Sequence, residues 1–240
     1  MSSKPTSVIV GAGEIGRALC EVLETGGLYR VFLFDVLSDE KGRFMSIGQV
    51  DFLHIAFPYT PHVFESEVER YQAMFKPTYT VVHSTVPVGT CSHLRVIHSP
   101  VRGKHYDMVK SIRTYTKFFG GLNADKAADH FLRIGVPVAV YQDSRATEFG
   151  KILETSYLGL NIRWVQEVEY VCTRAGLSFT EVWDKFVTTY NERCEDLHQP
   201  KFPAMVPIQG TIGGHCVMPN LEFLPDNFQF KPLLKGVEHE

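Results

Sequence analysis

Two stretches of the sequence combine residue types that can do chemistry, one near each end of the chain. GAGEIG, residues 11 to 16, has the G-x-G-x-x-G spacing of a phosphate-binding turn. GTIGGHCVMPN, residues 210 to 220, places Cys216 directly after His215. A free cysteine is most often a small buried hydrophobe, but the glycines and the proline here favour a turn in which a thiol can react once its pKa is lowered. Neighbouring side chains of an extended segment point to opposite faces, so a direct His–Cys pair is not expected.

The first glycine turn lies where a dinucleotide site requires it. The apolar run SVIVG (7 to 11) predicts a strand before the turn, a helical pattern from Glu14 to Glu24 follows, and Asp35 ends the next apolar run. Three glycines alone could form an ordinary turn, but here strand, helix and acid are all in place. Asp35 would accept hydrogen bonds from the ribose hydroxyls and repel a 2′-phosphate, so NAD is expected rather than NADP. The residues predicted to bind the cofactor are Gly11, Gly13, Glu14, Ile15, Gly16, Asp35, Ser84 and Thr85.

Alternating strand and helix candidates must position these residues. The further strand candidates are 31 to 36, 52 to 58, 79 to 85, 95 to 100 and 136 to 141, with helical spacers at 61 to 75 and 123 to 134. This alternation predicts a mainly parallel, doubly wound α/β sheet of the Rossmann class for residues 1–143. One helix of some thirty residues from about Arg145, and a second over 178 to 194 with Ser178 and Glu181 in a capping-box pattern, predict a smaller all-α domain for residues 144–240.

Two more candidates for the site follow from these elements. Ser84 and Thr85 come at the end of a strand candidate, at the edge where open α/β sheets bind ligands, although an ordinary Pro-Gly turn explains them as well. Lys151 lies on the long helix nearly opposite its main apolar stripe, which is the position of a solvated lysine. Leu158 and Ile162 follow on the same face, however, so a second subunit or the cofactor domain is expected to cover the helix.

The composition excludes several classes of function. The chain has 240 residues, 44% of them hydrophobic, and a net charge of −3, so neither nucleic acid nor an anionic membrane is an expected partner. No stretch approaches the roughly 18 consecutive apolar residues of a membrane span, and no signal peptide is recognised, so a cytoplasmic protein is expected. Five cysteines without C-x-x-C spacing argue against a disulfide framework and against a metal site.

In combination, four motifs resemble the UDP-glucose/GDP-mannose dehydrogenase family, the nucleotide-sugar dehydrogenases. They are GAGEIG, STVPVGT, the helix ATEFGKILETSYLGLNIRWVQE and GTIGGHCVMPN, in family order, and GGHC is similar to the form in the UDP-N-acetyl-hexosamine members. The resemblance implies a Rossmann domain, a long central helix that forms a homodimer, and an NAD-dependent, two-step oxidation of a sugar alcohol to the acid. It implies that Cys216 is the nucleophile adding to the aldehyde, that Lys151 steadies the oxyanion, and that Thr85 positions water or substrate.

The chain also departs from this family. Thr155 replaces an asparagine, Asn220 replaces an aspartate, and Val101 replaces a glutamate, so the hydrolysis of a thioester is in question. The sequence continues for only about twenty residues after GGHC, so we expect a short form without the nucleotide-binding third domain. The predicted substrate-binding residues are Arg102, Thr155, His215 and Asn220. A basic cluster could hold an anion, although such runs are more often solvated: Arg102, Lys104, His105, Lys110, Arg113 and Lys117.

Three hypotheses follow. The first is a nucleotide-sugar-type dehydrogenase that uses Cys216. The second is a two-electron dehydrogenase resembling the 3-hydroxyacid dehydrogenases, in which Lys151 transfers a proton and Cys216 is dispensable. The third is a protein that binds NAD but catalyses no reaction, because Val101 and Asn220 stand where the family has carboxylates.

Overall fold

A computed structural model describes residues 4–35, 47–103, 105–208, 210, 212 and 217–235 of the chain. The strands are β1 (Thr6–Val10), β2 (Arg30–Phe34), β3 (Phe52–Ile55), β4 (Tyr79–Val82), β5 (Ile97–His98), β6 (Lys117–Gly120) and β7 (Val138–Tyr141). The α-helices are α1 (Glu14–Thr25), α2 (Phe64–Phe75), α3 (Thr90–Leu94), α4 (Met108–Thr114), α5 (Ala124–Leu132), α6 (Ser144–Arg174), α7 (Lys185–Cys194), α8 (Val217–Leu221) and α9 (Lys231–Lys235). A 3-10 turn covers His105–Asp107, and a π-helical segment covers Thr180–Asp184.

The strands of the described residues form one sheet in the order β2-β1-β3-β4-β5-β6-β7. Neighbouring strands are parallel except β5 and β6, which pair antiparallel. The strand order reverses beside β1, which is where doubly wound sheets bind their ligands. The predicted fold, a Rossmann sheet followed by helices that include one long helix, is therefore confirmed.

Three elements of the sheet region were missing from the sequence prediction: β6, α4 and the five-residue helix α3. Strand β6 is only four residues long and begins with a lysine, so it carries too little apolar pattern to be recognised. Helix α4 lies within the basic run and packs against α1. The helix predicted over 178 to 194 begins with a π-helical segment, and the Ser178 carbonyl accepts from the Glu181 and Val182 amides, as the carbonyl of an N-cap residue does.

The core lies on both faces of the sheet because side chains alternate along each strand. Ile9 of β1 packs into a cluster with Leu19 and Leu23 of α1. Its neighbours Val8 and Val10 pack into a second cluster on the opposite face, with α2. All of these side chains are at most 2% exposed. Helices on both faces thus hold the strand ends, and the loops that follow them, in fixed positions.

The chain divides into two compact units, residues 1–151 and residues 152–240, so the division lies within α6, whereas the predicted boundary at residue 143 lies immediately before this helix. Gly176, with φ +67°, ends α6, and the amide of Leu177 donates to the Cys172 carbonyl as in a Schellman motif. In the second unit α8 and α9 approach α6 closely, since a Cβ at Gly159 would lie 2.7 Å from the Val217 side chain.

No helix among the described residues combines the length and the apolar character that crossing a membrane requires.

Candidate active site

The glycine turn between β1 and α1 has a separate steric reason at each glycine. Gly11 has φ +103°, and a Cβ there would lie 2.9 Å from the Ala56 carbonyl group. A Cβ at Gly16 would lie 1.7 Å from the Gly11 oxygen, so only glycine lets α1 pack against this turn. A Cβ at Gly13 would meet nothing within 4 Å. The fold therefore requires glycine at residues 11 and 16, whereas Gly13 leaves open space at the start of α1.

The peptide of Ala12 is held from two directions. Its amide donates to Asp35 Oδ2 at 2.8 Å, and its carbonyl accepts from Arg17 Nε at 2.7 Å. Glu14, the first residue of α1, is exposed, whereas Ile15 packs partly against the core. The turn is thus fixed by the protein's own groups and presents the N-terminus of α1 to solvent, where the helix dipole favours an anion.

Ser84 and Thr85 follow β4 at the same edge of the sheet. Ser84 Oγ donates to the Phe57 carbonyl at 2.5 Å, which ties this loop to the loop after β3. Thr85 is partly buried. Because β1, β3 and β4 are neighbours and parallel, their carboxyl ends meet at one edge, and the loop of residues 84–89 follows β4 there.

Lys151 belongs to this edge as well. It is partly buried, and its charge acts on His98, the last residue of β5. Burial of the imidazole, together with the charges of Lys117 and Lys151, lowers the pKa of His98 to about 3, although the hydrogen bond to Ser84 acts in the other direction. His98 is therefore neutral at pH 7, and Lys151 lies within electrostatic reach of the strand ends.

His98 connects the loop to the first turns of α6. Its Nε2 lies 3.2 Å from the Ser84 carbonyl oxygen, and its Nδ1 lies 2.8 Å from Thr147 Oγ1. A carbonyl oxygen can only accept, so Nε2 carries the hydrogen and Nδ1 is an acceptor that shares the Thr147 hydroxyl with the Ser144 carbonyl, 2.8 Å from Oγ1. The ring is completely buried.

Glu148 makes a second connection between the same loop and the same helix. Its carboxylate is completely buried and accepts from the amide of Gly89 at 2.6 Å and from the amide of Cys91 at 2.7 Å. These amides belong to the first turn of α3, whose donors have no partner within the helix. Burial of the Cys91 thiol, reinforced by the neighbouring Glu148, raises its pKa well above the usual range, so this cysteine is not a reactive thiol.

A third polar cluster lies inside the sheet and includes His83, the residue before the loop. Lys117 of β6 is 4% exposed and donates to the Ser99 carbonyl at 3.0 Å, with its Nζ 3.2 Å from His83 Nδ1. His83 Nε2 in turn lies 3.0 Å from His54 Nδ1. Burial lowers the pKa of Lys117 to about 7. The interpretation of the basic run as a solvated face is thus wrong for Lys117, because this side chain points into the core.

Arg102 and Val101 follow β5. The Arg102 guanidinium lies 5.2 Å from the centre of the Phe118 ring, and its side chain is partly buried. Val101 is 8% exposed and packs into the core cluster with Met108 and Ile112. A carboxylate at residue 101 would therefore have to be buried among apolar groups, which would be costly.

In the second unit, two of the predicted substrate residues contact each other. Asn220 Nδ2 lies 3.3 Å from Thr155 Oγ1, and both side chains are nearly buried. Thr155 Oγ1 also donates to the Ile152 carbonyl. Both side chains are neutral, where the resemblance to the nucleotide-sugar dehydrogenases implies an amide and a carboxylate. Cys216 and His215 lie outside the described residues.

Comparison with known proteins adds an independent finding. The chain is 27% identical over 148 residues to a UDP-N-acetyl-D-mannosamine dehydrogenase of Methanococcus maripaludis, a match that covers 57% of this chain and 32% of that protein. It superposes on the structure of a UDP-D-ManNAc dehydrogenase from Pyrococcus horikoshii with a TM-score of 0.78 at 16% identity, covering 96% of this chain and 68% of the other. The chain thus resembles nucleotide-sugar dehydrogenases in sequence over 148 residues and in fold. The predicted resemblance to this family is therefore confirmed, while the curated relative is matched over about a third of its length.

A second group of solved structures similar in fold to this chain consists of 3-hydroxyisobutyrate dehydrogenases. A 3-hydroxyisobutyrate dehydrogenase from Mycobacterium tuberculosis has a TM-score of 0.62 at 16% identity, covering 78% of this chain and 71% of that structure. An identity this low establishes the likeness of fold alone. No protein-family model matches the chain.

Sequence reasoning missed the roles of His98 and of the Glu148 carboxylate. Two signals were present: a histidine inside the apolar run RVIHSP, and a glutamate three residues before Lys151 on a helix expected to be covered. A polar side chain in an apolar strand or on a covered helix face needs a hydrogen-bonding partner. The pattern does not say which partner, because the contacts join residues far apart in the chain.

Proposed function

We propose that this chain is an NAD-dependent dehydrogenase that oxidises an alcohol group of a sugar or sugar nucleotide. The observation that carries the proposal is the preformed turn at the start of α1, with its open position at Gly13 and its Ala12 peptide held by Asp35. A pyrophosphate fits beside a residue without a side chain at a helix N-terminus. A nicotinamide cofactor bound there would supply the acceptor for the hydride that leaves the substrate carbon.

Asp35 supports NAD over NADP. Its carboxylate ends β2 beside the turn, so it would bind the ribose hydroxyls and repel a 2′-phosphate. Asp35→Ala should lower the ratio of the Kd values for NADP and NAD by about tenfold, because the repulsion is lost, and titration with both nucleotides measures this ratio. A ratio that stays within twofold of the original would mean that another group selects the cofactor.

For the chemistry, we propose Lys151 as the group that stabilises negative charge on the substrate oxygen and Thr85 as the group that positions substrate or water. Lys151 is supported by its partial burial and its electrostatic effect on His98 at the strand ends. Cys216 would add its thiol to the aldehyde of the first oxidation, and water would release the acid from the thioester of the second. Substrate contacts are proposed for Arg102, Thr155, His215 and Asn220.

A homodimer through α6 is part of the same proposal. The helix exposes large apolar side chains in the second unit: Tyr157, Leu158, Trp164 and Val171, each at least 46% exposed. Their clustering on one helix favours a covering surface of similar character, and a second copy of the chain offers it.

A second function is favoured by a specific observation, the neutral Thr155–Asn220 pair. Neither an amide nor a hydroxyl that already donates to the backbone is a general base, so water activation at this pair is unsupported. A dehydrogenase that stops after one oxidation, with Lys151 in proton transfer, fits this pair and the likeness of fold to 3-hydroxyisobutyrate dehydrogenase.

The experiment that tests the first function is an assay with NAD and a panel of UDP- and GDP-sugars, with NADH followed by its absorbance. Two NADH per substrate, with Cys216→Ser reduced to one or none, supports the nucleotide-sugar reaction. One NADH per substrate that persists in Cys216→Ser supports the second function. NAD binding without NADH formation on any sugar would favour a binding protein without turnover.

A further inference from the structure

The loop that follows β4, residues 84–89, is connected to α6 at both of its ends. At its start, His98 links the Ser84 carbonyl oxygen at 3.2 Å to Thr147 Oγ1 at 2.8 Å. At its end, Glu148 accepts from the amides of Gly89 and Cys91 at 2.6 and 2.7 Å. The two connections start from adjacent residues of α6, and His98 and Glu148 are both completely buried.

These contacts span long distances in the chain. Ser84 and His98 are 14 residues apart, His98 and Thr147 are 49 apart, and Gly89 and Glu148 are 59 apart. Local folding of the loop does not require them, since Thr90 Oγ1 and the Thr90 amide already bond to the Pro87 carbonyl. What the long-range contacts add is a fixed position of the loop relative to one turn of α6.

That turn of α6 immediately precedes Lys151. Residues three and four positions apart share a helix face, so Thr147 and Glu148 lie on the face of Lys151. The charge of Lys151 also contributes to the lowered pKa of His98, so the two side chains lie within electrostatic reach of each other. A loop fixed to Thr147 and Glu148 is thus fixed relative to the Lys151 backbone.

We propose that His98 and Glu148 are positioning residues that hold Ser84 and Thr85 at a set distance from Lys151. This inference rests on the proposed function, in which Thr85 and Lys151 act on the same substrate. Catalytic groups lose much of their effect when displaced by about 1 Å, whereas cofactor binding at the turn of residues 11–16 does not depend on this distance. We call the contacts of His98 and Glu148 with this loop the clamp. Because the turn of residues 11–16 is expected to supply most of the NAD affinity, loss of the clamp should affect turnover far more than the Kd for NAD.

The variants are chosen to separate positioning from stability. His98→Leu removes both ring contacts, and His98→Gln keeps a donor for the Ser84 carbonyl. Glu148→Gln keeps one acceptor oxygen of two. His130→Leu is the matched control, because His130 of α5 is also buried, at 2% exposure, but its ring bonds to Ser7 instead of the loop.

The first readout is hydrogen exchange, which needs no substrate. His98→Leu and Glu148→Gln should speed amide exchange in the peptide of residues 84–94 by about tenfold or more, and His130→Leu should leave this peptide unchanged. If exchange there is unaffected in both clamp variants, the clamp is refuted, whatever the enzyme's activity.

The second readout is kinetics with the best substrate of the sugar panel. His98→Leu should lower kcat by about tenfold while the Kd for NAD stays within twofold, and His98→Gln should recover most of the loss. Equal losses of kcat in His98→Leu and His130→Leu would assign the effect to general destabilisation and overturn the positioning role. A wild-type protein without turnover would instead refute the proposed function, and the exchange experiment would still decide on the clamp.

Discussion

The two units of the chain place their polar groups differently. In the first unit, buried polar side chains bond across long sequence distances, as Glu148 does to Gly89 and Ser7 does to His130. In the second unit, several helix hydroxyls bond to a backbone carbonyl three or four residues before them, as in Thr173 to Glu169 and Thr189 to Lys185 and Phe186. Meanwhile that unit exposes large apolar side chains, Phe186 at 71% among them.

The second unit thus leaves a larger share of its large apolar side chains exposed than the first unit does. A sheet covered on both faces can bury polar side chains because other strands and helices supply the partners. Helices that expose apolar faces reach comparable stability only when something covers them. We therefore expect substitutions at the ligand turn and in the core of the first unit to change NAD affinity and stability. In the second unit, we expect substitutions on the surface to change self-association.

The largest expected effect concerns the ligand turn of the first unit. Gly13→Val should raise the Kd for NAD by at least about 100-fold, near 3 kcal/mol, because the side chain would fill the space of the pyrophosphate. The thermal midpoint should stay nearly unchanged, since an added Cβ meets no atom within 4 Å. Isothermal titration with NAD and a thermal scan measure the two quantities. Unchanged affinity in this variant would overturn the cofactor assignment.

The next effect concerns the buried Lys117 of the first unit. Its pKa is lowered from 10.5 to about 7, so between these values the unfolded chain holds a proton that the folded chain does not. The free energy of unfolding should therefore rise with pH, by roughly 2 kcal/mol between pH 7 and 9. Urea titrations at several pH values measure this slope.

Lys117→Met is the control for that slope. The variant should lose the rise between pH 7 and 9 but keep a decline in acid, because burial also lowers the pKa of His54, His83, His98 and His130. Below pH 6.5, the pKa of histidine in the unfolded chain, the unfolded chain takes up protons that these buried rings do not. The free energy of unfolding therefore decreases as the pH is lowered. A rise between pH 7 and 9 that persists in Lys117→Met would assign it to another group.

A smaller effect tests the surface of the second unit. Tyr157→Lys should weaken a homodimer by about tenfold in its dissociation constant, because it places a charge on the apolar face of α6. Leu122→Lys is the control, since Leu122 is 79% exposed but lies in the first unit. Sedimentation over a range of concentrations gives both constants. If the wild-type protein sediments as a monomer at every concentration, the proposal of a dimer through α6 is refuted.

The smallest expected effect comes from helix propensity alone. Gly150 lies inside α6, where a Cβ would meet nothing within 4 Å. Gly150→Ala should therefore stabilise the protein by up to about 1 kcal/mol, because glycine loses more backbone entropy in a helix than alanine does. A lower urea midpoint for this variant would mean that the helix is covered at this residue by something outside the chain.

The sequence predicted most of the elements that local pattern determines. The glycine turn, Asp35 and the long helix α6 follow from residue type and period, and the structure has all three. Strand β6 could not be found this way because KFFG pairs with β5 and β7, and that environment, not its own pattern, makes it a strand. Neighbours in space likewise decide that Lys117 is buried.

The candidate site was predictable in part for the same reason. Residue type and spacing singled out Thr85, Lys151 and Cys216, yet spacing cannot tell that Glu148 holds the amides of Gly89 and Cys91. The contact of Asn220 with Thr155 also joins residues 65 apart in sequence. Such contacts depend on the three-dimensional arrangement of the elements, which a periodic pattern does not specify.

The most direct test of the central claim is the number of NADH molecules formed per substrate when the protein is incubated with NAD and the panel of UDP- and GDP-sugars. A nucleotide-sugar-type dehydrogenase predicts two NADH per substrate, and fewer in Cys216→Ser. No NADH with any sugar, from protein that binds NAD, would contradict the claim that this chain is a sugar dehydrogenase.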